Sequence, residues 1–383
     1  MREELLEDFP ALRKYIYLNT ASIGLTPRSV VGVLKGFLES LLLEGTAYLD
    51  EEKEAMVFEE LRSAAAKLLN CDEDEIAIFN SVTEALNSIA WGLECRGKII
   101  STDVEFPTVI YPWARIGKDK DWSMVLVKSR NYLVDEEELL SVIDEEVRAI
   151  CISHVEYLTG QKFDLRRIAR KAHEIGALLI VDGIQAAGYE PINVKELDVD
   201  IYIAGSYKWL VGPMGAAIAY IRKELCNSLE PGLVGWRSVE DMWSLNTTTD
   251  LKYAKAARRF EYSTSAYEAK IGLGKSIEYL LNIGIDRINY HNMKITQYLI
   301  EELDKLPRVK ILTPMNLKNR GSIITIDVEG VKSHELAQKI MYNGKRQAIF
   351  SIRKGLLRFS PHFYNDEEDI DEVLSRLKKA LLY

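Results

Sequence analysis

The chain has 383 residues, 47% of them hydrophobic, and a formal net charge of −9. That length and apolar content fit one large domain plus a smaller one and exclude a disordered chain. The negative balance argues against nucleic acid and anionic membrane surfaces as partners, because both select a basic footprint.

The first residues, MREELLEDFPALRKY, are acidic and amphipathic and lack the apolar core of a signal peptide. No uninterrupted apolar run approaches membrane-spanning length. The cysteines, Cys71, Cys95, Cys151 and Cys226, form no CxxC pair and have no histidine at a zinc-like spacing. A reduced, cytoplasmic protein without a metal is the expectation.

From about Glu75 to Arg222, strand-like and helix-like segments alternate. The strand candidates are IAIF (76–79), KIIST (98–102), SMVLVK (123–128), RAICISH (148–154), ALLIVD (177–182), DIYIAGS (200–206) and GAAIAYI (215–221). Charged amphipathic segments such as DEEELLSVIDEE and DLRRIARKAHEIG separate several of them. Near-continuous apolar strands between helices predict an α/β fold with a mostly parallel sheet covered on both faces. The pattern changes near Pro231. A loop-rich stretch leads into two long helix candidates (about 265–283 and 285–305). Then come GSIITIDVEG, a helix at 333–342, AIFSIR, GLLRFSP and a final helix at 366–381, which together predict a small α+β domain. The expected division is a large domain over 16–255 and a small one built from 1–15 and 256–383.

Asp182 ends the ALLIVD strand, and Lys208 follows the next strand after a short turn, in IAGSYKWLVGPMG. Open α/β sheets place ligands at the carboxyl ends of their strands. Singly, a strand-end Asp is more often a cap and a lone Lys a solvated group. As a pair at the ends of apolar strands they imply chemistry. A partly desolvated lysine loses its proton more easily, and a neutral amine forms a Schiff base with an aldehyde. Pyridoxal phosphate carries such an aldehyde, and its ring nitrogen needs a carboxylate, the role open to Asp182. Gln185 would reach the ring hydroxyl. NSVTEALN (80–87) sets Ser81, Val82 and Thr83 at a helix start, where free N–H groups and the dipole favour a phosphate. Ser81 and Glu84 equally fit an S-x-x-E capping box. Phe106 would stack on the ring or serve as a core aromatic. Arg358 alternates with apolar neighbours and is expected to point inward, toward a substrate carboxylate. Arg353 reads as a surface arginine on an edge strand. IGLGKS (271–276) is not a phosphate loop, because Ala269 stands where a glycine is required.

These segments resemble the class V aminotransferase family, part of fold type I of the pyridoxal-phosphate enzymes, which also includes cysteine desulfurases, kynureninases and isopenicillin N epimerase-like proteins. YLNTASIG, NSVTEALN, EFPTVIYPW, SHVEYLTGQKFDL, VDGIQAAG, GSYKWLVGPMG, RRFEYST and LRFSPHFYNDEEDID match in order. The resemblance implies a large domain with a seven-stranded sheet and a small C-terminal domain. It also implies Lys208 as the Schiff-base and proton-shuttling residue, with Asp182 at the ring nitrogen and Gln185 at the ring hydroxyl. Phe106 would lie on the ring, and Ser81, Val82, Thr83 and Tyr207 would surround the phosphate. Thr264 would reach the phosphate of a partner subunit, Trp236 would act likewise, and Arg358 would clamp the substrate carboxylate. A homodimer acting on an amino acid follows. Cysteine desulfurases keep a persulfide-forming cysteine before that arginine, and no cysteine follows Cys226 here. They also stack a histidine where this chain has Phe106, and their asparagine near the ring hydroxyl is replaced by Tyr157. Transamination, elimination as in a carbon–sulfur lyase, and epimerisation stay open. So does a binding protein without turnover.

Overall fold

The computed structural model describes residues 2–93 and 96–381, so Cys95 lies outside the described residues. A short strand, β1 (Tyr15–Tyr17), precedes the helix Arg28–Glu44. The strands predicted between 76 and 221 then form: β2 (Ile76–Phe79), β3 (Gly97–Thr102), β4 (Trp122–Val127), β5 (Val147–Ser153), β6 (Leu178–Asp182), β7 (Ile201–Gly205) and β8 (Ala217–Ile221). They join in a seven-stranded sheet of order β2-β8-β7-β6-β5-β3-β4. The five strands from β4 to β7 run parallel, and β8 runs antiparallel to both β7 and β2. Two reversals restore β2 to the direction of β7. The carboxyl ends of β2, β3, β6 and β7 therefore open on one edge of the sheet.

Successive side chains of a strand point to opposite faces. In β5, Ile150 and Ile152 enter one core and Ala149 and Cys151 the other; in β6, Leu179 and Val181 go one way and Ile180 the other. Burial on both faces explains the unbroken apolar runs. Each fully buried Ile or Leu contributes about 1.5–3 kcal/mol relative to exposure. Helices Glu59–Leu69 and Leu165–His173 cover the first face, and Val82–Gly92 and Pro107–Lys120 the second.

The second unit is α+β, as expected. It contains β9 (Val309–Ile311), β10 (Ile324–Val328), β11 (Gln347–Ile349), β12 (Ser351–Arg353) and β13 (Leu356–Phe359). Four of these form an antiparallel sheet of order β12-β13-β10-β9, while β11 pairs with β1 in parallel. Helices Ile285–Asp304, Ser333–Tyr342 and Glu367–Leu381 complete its core through Leu299, Leu336 and Leu374. Ile16 and Leu18 join this core, whereas Leu273, Ile277 and Leu280 of helix Tyr267–Ile283 enter that of the large sheet. We propose the division of 16–255 from 1–15 and 256–383, with these elements crossing its border, as do Phe9 and Leu12, which also enter the core of the large sheet. Among the described residues no helix is long and apolar enough to cross a membrane.

Candidate active site

Lys208 stands on a turn that leaves β7. Gly212 N donates to Ser206 O (2.9 Å) and Val211 N to Lys208 O (3.1 Å), which closes the turn. Val211 has φ +48, a strained value for a β-branched residue, and complete burial holds it there. The N-terminal segment clamps the other side. Gly24 N donates to Tyr207 O (2.8 Å), and a Cβ on Gly24 would meet Lys208 O at 2.1 Å. The Lys208 side chain is 7% exposed, with Nζ 5.6 Å from the Phe106 ring centroid. Burial pushes its pKa down to about 8; Asp182 pulls it back up, and Arg358 and Arg353 push it further down.

Asp182 is 2% exposed, and its Oδ1 accepts from Ile184 N (2.9 Å). Burial raises its carboxyl to about 6, against the pull of that N–H and of Lys208. Both residues line one cavity of about 110 Å³, together with Asn80, Ser81, Val82, Thr83, Phe106, Thr108, Ile184, Gly205, Tyr207, Gly215 and Ala216. Two larger grooves, of about 750 and 700 Å³, lie elsewhere and contain neither Lys208 nor Asp182.

The far wall of the cavity is the start of helix Val82–Gly92. Ser81 caps it, accepting from Glu84 N (3.1 Å). The Glu84 carboxylate reaches past the capping-box position to Asn80 N (3.2 Å) and Nδ2 (3.1 Å). The Val82 and Thr83 N–H groups belong to the first turn and have no partner inside the helix. Capping and an anion seat thus coexist. Thr83 Oγ1 is hydrogen-bonded to Thr108 Oγ1. Behind this wall lies a residue the sequence reading passed over. Lys270, 1% exposed, donates to Asn80 Oδ1 and to Gly215 O (2.8 Å). Burial lowers its pKa to about 8, opposed by Glu84 and Glu268. Its one available signal was a lysine between Ala269 and Ile271 on an apolar helical stretch.

Arg358, on β13, is buried as expected. Its Nε donates to Ser351 Oγ (3.0 Å), Nη1 to Tyr157 O (2.6 Å) and Nη2 to Ser22 Oγ (2.8 Å). Burial pushes its pKa down to about 9, and the charge of Arg353 adds to that. Arg358 does not line the cavity, but its charge reaches Lys208.

Three further predicted residues also stand outside the cavity. Gln185 Oε1 accepts from Trp209 Nε1 (2.8 Å) and its Nε2 donates to Ala21 O (3.1 Å), so this amide ties the lysine turn to the N-terminal segment. Trp236 packs on Trp243, with centroids 5.1 Å apart, and Thr264 is exposed. Phe106 is no core aromatic. It is 47% exposed, with the Tyr157 ring edge-on at 5.4 Å.

His154 contacts Tyr202 Oη (3.0 Å) and His362 contacts Trp209 O (3.1 Å). Burial pushes both down to about 3, so they are neutral structural groups. Glu105 accepts from Ser153 N (2.8 Å) and Oγ (2.5 Å). Burial raises it to about 7 despite those bonds, with Asp182 adding to the rise.

A buried amine with a depressed pKa, a strand-end carboxylate, an aromatic plate and a helix start with free first-turn N–H groups surround one cavity. This donor set fits pyridoxal phosphate. Residues 16–373 match the family model described as aminotransferase class-V. The chain belongs to that family, and it is a pyridoxal-phosphate-dependent enzyme. An uncharacterised aminotransferase of Bacillus subtilis, YcbU, is 30% identical to it over 98% of both chains. A probable cysteine desulfurase of Pyrococcus abyssi is 27% identical, over 99% of this chain and 97% of its own. Among solved structures, the apo cysteine desulfurase of Thermococcus onnurineus aligns with a TM-score of 0.87 at 24% identity, over 98% of this chain and 97% of its own. The cystine C–S lyase C-DES, in complex with cysteine persulfide, aligns with a TM-score of 0.86 at 24% identity, over 96% and 98%. These two likenesses carry the fold.

Proposed function

We propose that the chain is an amino-acid aminotransferase in which Lys208 does the proton work. The observation that supports this reading most is that Lys208 and Asp182 face one cavity with the helix start at Ser81–Thr83. Val82 N–H, Thr83, Ser81 and Tyr207 would hold the cofactor phosphate, Asp182 the ring nitrogen and Phe106 the ring face. When bound, the cofactor supplies an aldehyde for amines and a ring that withdraws electrons from the substrate α-carbon. Lys208 Nζ, with its proton affinity lowered, takes the α-proton and returns it. Phe106 shields one side of the cavity from water and carries no proton. Arg358 binds the substrate carboxylate.

A carbon–sulfur lyase is the second reading, supported by the desulfurase names among the relatives. A persulfide route of the desulfurase kind has little support, because Cys71, Cys151 and Cys226 do not line the cavity. Kynureninase-like elimination and isopenicillin N epimerase-like epimerisation need the same α-proton transfer. We also propose a cytoplasmic homodimer. Thr264 is exposed and Trp236 lies outside the cavity, which suits residues that serve a second copy's site.

The test is visible absorbance of the reconstituted protein, its loss in Lys208→Ala, and a panel of amino acids added without keto acid. One equivalent of keto acid and the cofactor left in its amine form support transamination. Continuous pyruvate with sulfide favours the lyase, and racemisation without net product an epimerase. A band that no amino acid changes would leave a binding protein without turnover.

A further inference from the structure

Ser351 on β12 stands opposite Arg358 on β13. Every second side chain of a strand shares a face, so Arg353 is the diagonal neighbour of Arg358 on that face. The sequence reading left Arg353 to solvent on an edge strand. It is exposed and β12 is the edge, but its guanidinium reaches back toward Arg358. Arg353 Nη2 donates to Ser22 Oγ (3.1 Å), the oxygen that also accepts from Arg358 Nη2 (2.8 Å). One hydroxyl holds two guanidinium forks at a common point.

Like charges on one sheet face repel, and a buried cation without a counter-ion is costly. Among the described residues, neither arginine forms an ion pair with a carboxylate: Arg353 bonds to Ile352 O and Ser22, Arg358 to Ser351, Tyr157 O and Ser22. The carboxyl of Glu156 attracts Arg358 from a distance, but neither arginine donates a hydrogen bond to it, and its Oε1 has no hydrogen-bond partner among the described residues. Both arginine charges act on Lys208. The unmatched positive charge therefore sits at the side of the site where the amine works.

We propose that Arg353 and Arg358 form a subsite for two acidic groups, and that the amino acid handled at Lys208 carries a carboxylate or equivalent acid on its side chain. This rests on the reading of Lys208 as the amine that works on an amino acid. Arg358, the buried fork, takes the α-carboxylate. Arg353, at the exposed rim, takes the distal acid. Each fork offers paired N–H donors that match a planar carboxylate. A substrate with one carboxylate leaves the second charge unmatched, and an amide side chain of the same shape does too.

Calorimetry on the cofactor-loaded protein reads this subsite without turnover. Succinate and glutarate are compared with the monoanions butyrate and succinamate. The dicarboxylates are expected to bind at least ~10-fold more tightly, equivalent to about 1.4 kcal/mol. Arg353→Gln, checked for a cooperative thermal melt, is expected to remove that advantage. Equal affinities, an advantage that survives Arg353→Gln, or no detectable dicarboxylate binding overturns the proposal. A parallel titration with aspartate, asparagine, glutamate and glutamine, followed by visible absorbance, separates the two readings. Silence toward all four, with dicarboxylates still bound through Arg353, counts against the amino-acid reading alone. Equal response to acid and amide counts against the subsite alone.

Discussion

A single amine dominates the chemistry at residue scale. Lys208 loses its proton near pH 8 in the folded chain rather than at the ordinary 10.5. Between those values the unfolded chain holds more protons. The stabilising contribution of this residue is therefore complete above about 10.5 and lost as pH falls through about 8. Reductive labelling of the apo-protein by pyridoxal phosphate and borohydride should rise through pH about 8. In Asp182→Asn the midpoint should move lower, because the carboxylate that favours the ammonium is gone. An unchanged midpoint would mean the two groups do not interact. Arg358→Gln removes the buried half of the proposed carboxylate clamp. Its KM for the substrate is expected to rise about 100-fold, near 2.8 kcal/mol, as for other truncated charge pairs. Steady-state kinetics with a parallel thermal melt checks this, and a KM within threefold of wild type would remove Arg358 from the site.

Two elements present the site, a helix start and a strand end. Ser81→Ala removes the oxygen that accepts from Glu84 N. A lost cap costs about 1 kcal/mol, so the urea midpoint should fall modestly while phosphate-dependent cofactor retention falls with it. If retention on dialysis matches wild type, the Ser81 hydroxyl is only a cap and the phosphate is held by the other groups at the helix start. Gly183, just beyond β6, answers a packing demand. A Cβ there would meet Tyr202 Cε1 at 2.1 Å and Cζ at 2.2 Å, and Tyr202 is fully buried. Gly183→Ala is expected to cost about 3 kcal/mol, the upper part of the usual overpacking range. Chemical denaturation reads this directly; a loss under about 0.5 kcal/mol would show that the Tyr202 ring has room to move.

At the scale of the whole molecule, the surface argues for a second copy. Helix Arg28–Glu44 leaves Leu38 54%, Leu42 83% and Leu43 80% exposed, and Val234 and Leu245 are exposed near Trp236. Leu38 and Leu42 are one turn apart on their helix, and exposed large apolar side chains clustered in this way mark an interaction site. Sedimentation equilibrium should give twice the 43.6 kDa chain mass. Leu42→Asp combined with Leu43→Asp should shift the mass toward one chain and loosen the cofactor. A wild-type protein that stays at one chain mass at micromolar concentration would refute the dimer.

Much of the fold was legible in the sequence because the signals are local. Strands buried on both faces need runs such as ICIS and LLIVD, and the Asp182 and Lys208 turns follow strand ends directly. What sequence could not show depends on distant elements meeting. Arg353 joins the site only because β12 pairs with β13 in one register and residue 22 arrives from the other end of the chain. Lys270 reaches Asn80 only because helix Tyr267–Ile283 packs against the large domain. Gln185 meets Trp209 and Ala21, partners that no local pattern announces. By itself the sequence determined the sheet, its reactive edge and the amine–carboxylate pair, since periodicity and turn position encode them within a few residues. Only the tertiary structure decided which cations crowd that amine, because charge interactions follow distance in space rather than along the chain.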